Sequence, residues 1–207
     1  MDEQNRVLKV ISELLEYPDE DFLRRLPDME ARVAVLPREV KKTLVDFVSR
    51  IKSQDPIRLQ ETYTSVFCMD PRTTLSMGYH LWGDSEKRGR TLARMEQIFH
   101  EAGYERSSGE LPDFLPLMLE FLSISPHARG IKLVWQCVGG IERVIAQLEE
   151  RAPEYAALLT VLTGILSHQV RDGIYQGDHV HEECGRSTGL NRGGASVKKG
   201  GCDGPCL

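Results

Sequence analysis

The chain has 207 residues, of which 41% are hydrophobic and 28% charged, with a net charge of -5 and a pI near 5.7. That length and composition suit one main domain with a real core, and the acidic balance argues against a nucleic-acid binder, which carries a basic face to neutralise phosphates. No window approaches the roughly 20 consecutive apolar residues that span a bilayer, so no membrane insertion is expected.

The N-terminus, Met1-Asp-Glu-Gln-Asn-Arg6, lacks the basic start, apolar middle and small-residue cleavage site of a secretory signal, which predicts a cytoplasmic location. It runs into a first helix whose Val7, Leu8, Val10, Ile11, Leu14 and Leu15 share one face and which Tyr17-Pro18 closes. Asp19 caps a second helix that Pro27 is expected to interrupt. Pro37 suits the first turn of a third, striped by Val40, Leu44, Phe47, Val48 and Ile51. Asp55-Pro56 reads as cap and first residue of a fourth, carrying Ile57, Leu59, Tyr63, Val66 and Phe67.

Beyond a polar bend at Met77 to Gly89, Asp84 or Ser85 can cap a helix bearing Leu92, Met95, Ile98, Phe99 and Ala102, with Gly103 as its stop. Pro112 opens the next, with Leu115, Met118, Leu119 and Leu122 inside, and two further runs cover Ile131 to Arg151 and Glu154 to Asp172. No alternating strand pattern interrupts them, so the fold class is all-α: a single helical domain over residues 1–176. Residues 177–207 change character. Glycines and charges dominate there, Val180, Leu190, Ala195, Val197 and Leu207 are too sparse for a core, and a flexible, disordered tail is expected.

The five cysteines are odd in number and Cys68 and Cys137 fall inside helical patterns, which disfavours a disulfide framework. In the tail, His179, His181 and Cys184 could join Cys202 and Cys206 around zinc, copper or an iron-sulfur centre. The two halves stand seventeen residues apart across a glycine-rich segment, so solvated tail residues are the expectation and metal handling the alternative. His100, His127 and His168 each stand alone in a helical setting.

The bend, Met77-Gly-Tyr-His-Leu-Trp-Gly-Asp-Ser-Glu-Lys-Arg-Gly89, concentrates glycine, aromatic, imidazole, carboxylate and guanidinium groups, and Glu110-Leu-Pro-Asp-Phe-Leu-Pro116 answers it. A phosphate loop is disfavoured: the glycines are one residue too far apart, arginine replaces lysine and no strand precedes them. Ser85 lacks the glycine-flanked elbow of a hydrolase nucleophile. Cys68 with His80 would be a nucleophile and base, yet Cys68 reads as a small buried hydrophobe. No catalytic residue and no resident cofactor is therefore expected.

Tyr63-x-x-x-Phe67, Ser76-Met77, His80, Gly83-Asp84-Ser85-x-x-Arg88-Gly89 and Glu110-Leu111-Pro112-Asp113-x-Leu115-Pro116-x-x-Leu119-Glu120-Phe121-Leu122 together resemble the NarJ family. These are assembly chaperones of respiratory nitrate reductase, within the wider TorD and DmsD group of redox-enzyme maturation chaperones. The resemblance runs from about Val7 to Asp172 and is most specific between Tyr63 and Leu122. It implies an all-helical, non-catalytic chaperone whose partner is the apo catalytic subunit of nitrate reductase. The chaperone would grip that subunit's N-terminal segment and keep it open to molybdenum cofactor, and to an iron-sulfur cluster, before docking at the membrane. A sister chaperone for a dimethyl sulfoxide or trimethylamine oxide reductase would share that mechanism.

The residues of the bend fit such a role. A leader bound as an amphipathic helix needs an apolar groove and carboxylates for its basic side chains. Met77, Leu81, Trp82, Phe114 and Leu117 are candidates for the first, and Asp84, Glu110, Asp113 and Glu120 for the second. Tyr63, Phe67, His80, Arg88 and Pro112 complete the candidate set, each with a structural alternative: Asp84 as a cap, Arg88 as the partner of Glu110 or Asp113, the prolines as shapers of the next helix. Cys68 stands where the family commonly has aspartate, and Trp82 where it commonly has a second histidine, which removes one charge and one titratable group from the groove edge.

Overall fold

The structure, a computed structural model, describes residues 2–105 and 109–171, with side chains up to residue 167. Among the described residues there are ten α-helices, one π-helical turn and no strand. The helices are α1 (Glu3–Leu14), α2 (Glu20–Ala34), α3 (Arg38–Lys52), α4 (Pro56–Tyr63), α5 (Met77–Trp82), α6 (Glu86–Glu101), α7 (Leu115–Ile124), α8 (Ile131–Val138), α9 (Ile141–Leu148) and α10 (Pro153–Arg171). The π turn, Thr64–Cys68, continues α4. The chain divides into Met1–Gly177 and Asp178–Leu207, and the second unit lies outside the described residues, as do the tail ligands named above and the side chain of His168.

At the centre is α7, whose Leu115, Pro116, Leu117, Met118, Leu119, Phe121, Leu122 and Ser123 are all buried. A helix apolar on every side has to be covered on every side. Its chief neighbour is α1, which buries Val7, Leu8, Val10, Ile11 and Leu14. Two polar links set the register between them: the Ser12 hydroxyl donates to the Pro116 carbonyl at 2.7 Å, and the Lys9 ammonium meets Glu120 at 2.5 Å. From α6, Met95, Ile98 and Phe99 join the core, with the Phe99 ring 4.4 Å from that of Phe121.

Pro27 does not interrupt α2, contrary to the sequence expectation. Phe22, Leu26, Met29 and Val33 are buried on both sides of it at helical spacing, so packing outweighs the lost backbone bond. The run expected as one helix from Ile131 to Arg151 is instead α8 and α9, broken at Gly139-Gly140. A Cβ on Gly140 would lie 2.9 Å from the Met77 carbonyl oxygen, so α5 approaches the backbone too closely there for any side chain. Pro112 precedes α7 in a turn, and Pro116 occupies the helix's first turn.

Phe121→Ala is expected to cost about 3–5 kcal/mol, as large core deletions do. Urea unfolding should show a lower midpoint at unchanged slope.

Candidate peptide-binding groove

Two short extended segments bring the two blocks of the bend together. The Met77 N–H donates to the Asp113 carbonyl at 2.9 Å and the Leu115 N–H to the Leu75 carbonyl at 2.8 Å, with Ser76 and Phe114 opposed in a single antiparallel bridge. The Asp113 carboxylate beneath this pairing is fully buried, and Arg88 Nε of α6 donates to its Oδ2 at 3.0 Å. A Cβ on Gly78 would stand 2.7 Å from that same oxygen, so only glycine lets α5 sit against the carboxylate. Arg88 also reaches Asp84 at 3.5 Å and lies 5.9 Å from the Tyr79 ring centre. The Ser85 hydroxyl, rather than Asp84, caps α6 through the Arg88 N–H at 3.3 Å.

Beside this junction opens a groove of about 480 Å³. Its floor is aromatic, made by Tyr17, Tyr63, Phe67 and Phe114 with Leu75, and its rim carries Glu16 and Glu110. Tyr63 and Phe67 belong to a run of edge-to-face rings with Tyr17 and Tyr155, spaced 4.8 to 5.4 Å. The Tyr63 hydroxyl donates to the Leu15 carbonyl at 2.9 Å, which ties this floor to the end of α1. Cys68, Thr74 and Ser76 are shared with a second hollow of about 330 Å³, walled by Asp70, Pro71, Tyr79 and Arg88. The two hollows adjoin at these three residues.

Electrostatics differ along it. Burial first, then Tyr155, Cys68, Glu110 and Glu16, push the Tyr63 phenol far above its usual range. Burial and then Glu110 likewise push the Cys68 thiol up, which disfavours the thiolate a nucleophile requires. In the second hollow, Asp70 is paired with Arg72 at 2.8 Å and with Arg151, which hold its carboxyl well below the usual carboxylate range.

Of the sequence candidates, Tyr63, Phe67, Glu110 and Phe114 line the first hollow and Arg88 the second. Met77 and Leu117 do not form apolar groove surface. They are core residues, 0% and 7% exposed, because α5 and α7 turn those faces inward. Pro112 and Asp113 are buried as well, and the Asp113 charge is taken by Arg88. Glu120 faces Lys9 and the Tyr104 hydroxyl, 2.7 Å away; against the opposing effect of burial, these hold its carboxyl below its usual range. Trp82 and Leu81 are half-buried at the end of α5, Trp82 with Lys87 Nζ 5.8 Å from its ring centre. Asp84 is exposed.

Cys68 is exposed rather than buried, because the π turn carries it out of the helical register. Sequence reading missed Glu16, Tyr17, Thr74, Leu75 and Ser76. The signal available was an aromatic, Tyr17, at a helix end, read there only as part of a stop; the structure leaves it 45% exposed. His80 is half-buried, with Nε2 2.7 Å from the Thr74 carbonyl oxygen, and since a carbonyl only accepts, Nε2 carries the proton. Among the described residues no group of three or more His, Cys, Asp or Glu is placed to hold a metal ion, and no helix is long and apolar enough to cross a membrane.

Residues 34–160 match the protein family described as nitrate reductase delta subunit. The chain belongs to that family. It is 30% identical over 158 residues to the nitrate reductase molybdenum cofactor assembly chaperone NarJ of Escherichia coli (strain K12), covering 75% of this chain and 67% of that protein. A Bacillus subtilis (strain 168) protein, described as a probable nitrate reductase molybdenum cofactor assembly chaperone NarJ, is 30% identical over 159 residues, which are 76% of this chain and 86% of its own. The crystal structure of a protein from Archaeoglobus fulgidus, described as a redox enzyme maturation protein, superposes with a TM-score of 0.54 at 25% identity, covering 79% of this chain and 93% of that one. The delta-subunit match spans the bend and the whole groove except Glu16 and Tyr17.

Two outcomes follow from the groove's supports. Asp113→Ala leaves Arg88 without its buried partner and should cost about 3–5 kcal/mol; a double-mutant cycle with Arg88→Met should return a coupling above about 1 kcal/mol in urea unfolding. For His80, burial and Arg143 lower the folded pKa below 6.5, against the opposing pull of the Thr74 hydrogen bond and Asp113. The unfolded chain therefore takes up the proton first, so stability is fully present above 6.5 and falls as pH drops toward the folded pKa. His80→Gln should flatten that part of a stability-against-pH curve.

Proposed function

We propose that this chain is an assembly chaperone for a respiratory nitrate reductase, and that its groove holds the N-terminal segment of the apo catalytic subunit while molybdenum cofactor is inserted. The observation that carries the reading is the 480 Å³ hollow with an aromatic floor and carboxylates at its rim. An amphipathic helix with basic residues beside its apolar face is the complement of that surface. Aromatic rings give large apolar contact at low entropic cost, and carboxylates at the edge receive lysine or arginine. The 30% identity to NarJ chaperones, described by their part in molybdenum cofactor assembly, supports the same client class.

On this reading the protein acts without catalysing a reaction. It works in the cytoplasm, before the reductase docks at the membrane. Occupying the client's N-terminal segment keeps that segment from packing prematurely, so the cofactor cavity stays open. Release of the segment then lets the loaded subunit close. The chaperone itself retains neither cofactor nor cluster.

Calorimetric titration of the intact chain with a synthetic peptide copying the N-terminus of the catalytic subunit should give saturable one-to-one binding. Phe114→Ala should weaken it about tenfold or more, the scale of an aromatic anchor, while Ile57→Ala, an exposed residue of α4 that does not line the groove, should leave it unchanged. Absence of binding to the unsubstituted chain would refute the proposal.

A further inference from the structure

One stretch of loop walls both hollows. It runs from Met69 to Ser76, between the π turn and α5, and gives Asp70, Pro71, Thr74, Leu75 and Ser76 to their linings. Its two ends are fixed: the Met69 N–H donates to the Thr64 carbonyl at 3.0 Å, and the Leu75 carbonyl accepts from the Leu115 N–H at 2.8 Å. Between them Thr73 is fully buried, its hydroxyl donating to the Val66 carbonyl. The apex, Asp70 to Arg72, stands out from these anchors, with Pro71 and Arg72 exposed.

The apex is reached from a different part of the fold. Helix α9 is seated in the core by Ile141, Val144 and Leu148. Arg151, in the turn after it, donates through Nη1 to Asp70 Oδ2 across 81 residues of chain. On α9 itself, Arg143 donates through Nη1 to the His80 carbonyl, and the His80 ring holds the Thr74 carbonyl at 2.7 Å. Two guanidinium groups set eight residues apart thus meet the loop at two points, Arg151 at its apex and Arg143 behind Thr74 through His80. Neither arginine lines either hollow. We propose that Arg143 and Arg151 are positioning residues for client binding, which act through His80 and Asp70 on the loop wall and do not themselves touch the client. This inference rests on the groove being the client's seat and adds what holds its wall in place. Each is an exposed contact, so it contributes little to the stability of the fold. Its effect is on the loop, since a wall that is already ordered costs a ligand less to bind than one it must order. Each contact runs through a single nitrogen, so a lysine ammonium can take it over.

The test is calorimetric titration of the full chain with the synthetic catalytic-subunit peptide. Arg151→Ala and Arg143→Ala should each weaken binding about threefold to fivefold, the scale of an exposed ion pair, with little change in the urea midpoint. Arg151→Lys and Arg143→Lys should bind within about twofold of the unsubstituted chain. In an Asp70→Ala background, Arg151→Ala should bring no further loss, because the residue through which it acts is gone. Without peptide, hydrogen exchange across residues 69–76 should quicken about threefold or more in the alanine variants, while α1 and α7 exchange as before. Unchanged affinity, unchanged loop exchange, failure of lysine to replace arginine, a urea midpoint that falls in step with affinity, or a further loss from Arg151→Ala once Asp70 is gone would overturn the positioning role while leaving the groove in place. Absence of peptide binding to the unsubstituted chain would overturn the groove reading itself, and with it a role for the two arginines in client binding.

Discussion

The groove depends on one buried contact between distant parts of the chain, that of Arg88 with Asp113. Twenty-five residues separate them, and the segments they join carry nearly everything that shapes the site. Asp113 gives its carboxylate to α6 and its backbone carbonyl to Met77, and its neighbour Phe114 is bridged to Ser76. One residue thus sets the distance of α5 and α6 from the start of α7. Removing one partner of such a pair is costly because a charge is left buried, even where the pair contributes little net stability. The interaction therefore fixes geometry more than it adds free energy.

The close approaches around that contact explain two glycines. Gly78 faces the Asp113 carboxylate and Gly140 faces the Met77 carbonyl, and a Cβ at either would come within 3 Å of an oxygen. Between them α5 is clamped from both sides, although its six residues are too few to be stable alone. His80 adds its hydrogen bond to Thr74, on the wall shared by both hollows. The bend is rich in polar residues because it is a junction of backbone segments, and most of its polar groups are satisfied within that junction, Asp113 Oδ1 excepted.

This is also why the site was only partly legible in the sequence. Helices with strong apolar periodicity, such as α1, α3 and α6, followed directly from spacing, and the all-helical class with them. Periodicity cannot show which residues of a crowded bend face inward. Met77 and Asp113 suited a binding surface by residue type, yet both are fully buried, since long-range pairing decides their direction. Pro27 and Gly139-Gly140 failed for a related reason: local propensity is weak against tertiary packing, which carried α2 through a proline and broke α8 from α9 at a close contact. The π turn that exposes Cys68 has no sequence signature at this spacing.

Core and groove share side chains, which limits how the site can vary. Tyr63 and Phe67 are 4% and 5% exposed, so almost all of their surface supports the aromatic cluster and only an edge reaches the hollow. Changing them would disturb the fold before it changed recognition. Tyr17, 45% exposed, and the half-buried Phe114 stand differently: each packs against the core on one side, Tyr17 on the Tyr63 ring, and keeps surface on the other. On the proposed reading, substitutions at Tyr17, Phe114 and the rim carboxylates Glu16 and Glu110 would alter the surface offered to a client with less effect on the rings below. The interactions that build the floor of the hollow tie α4 and its π turn to the end of α1 and to α10, so the floor is set by the fold itself.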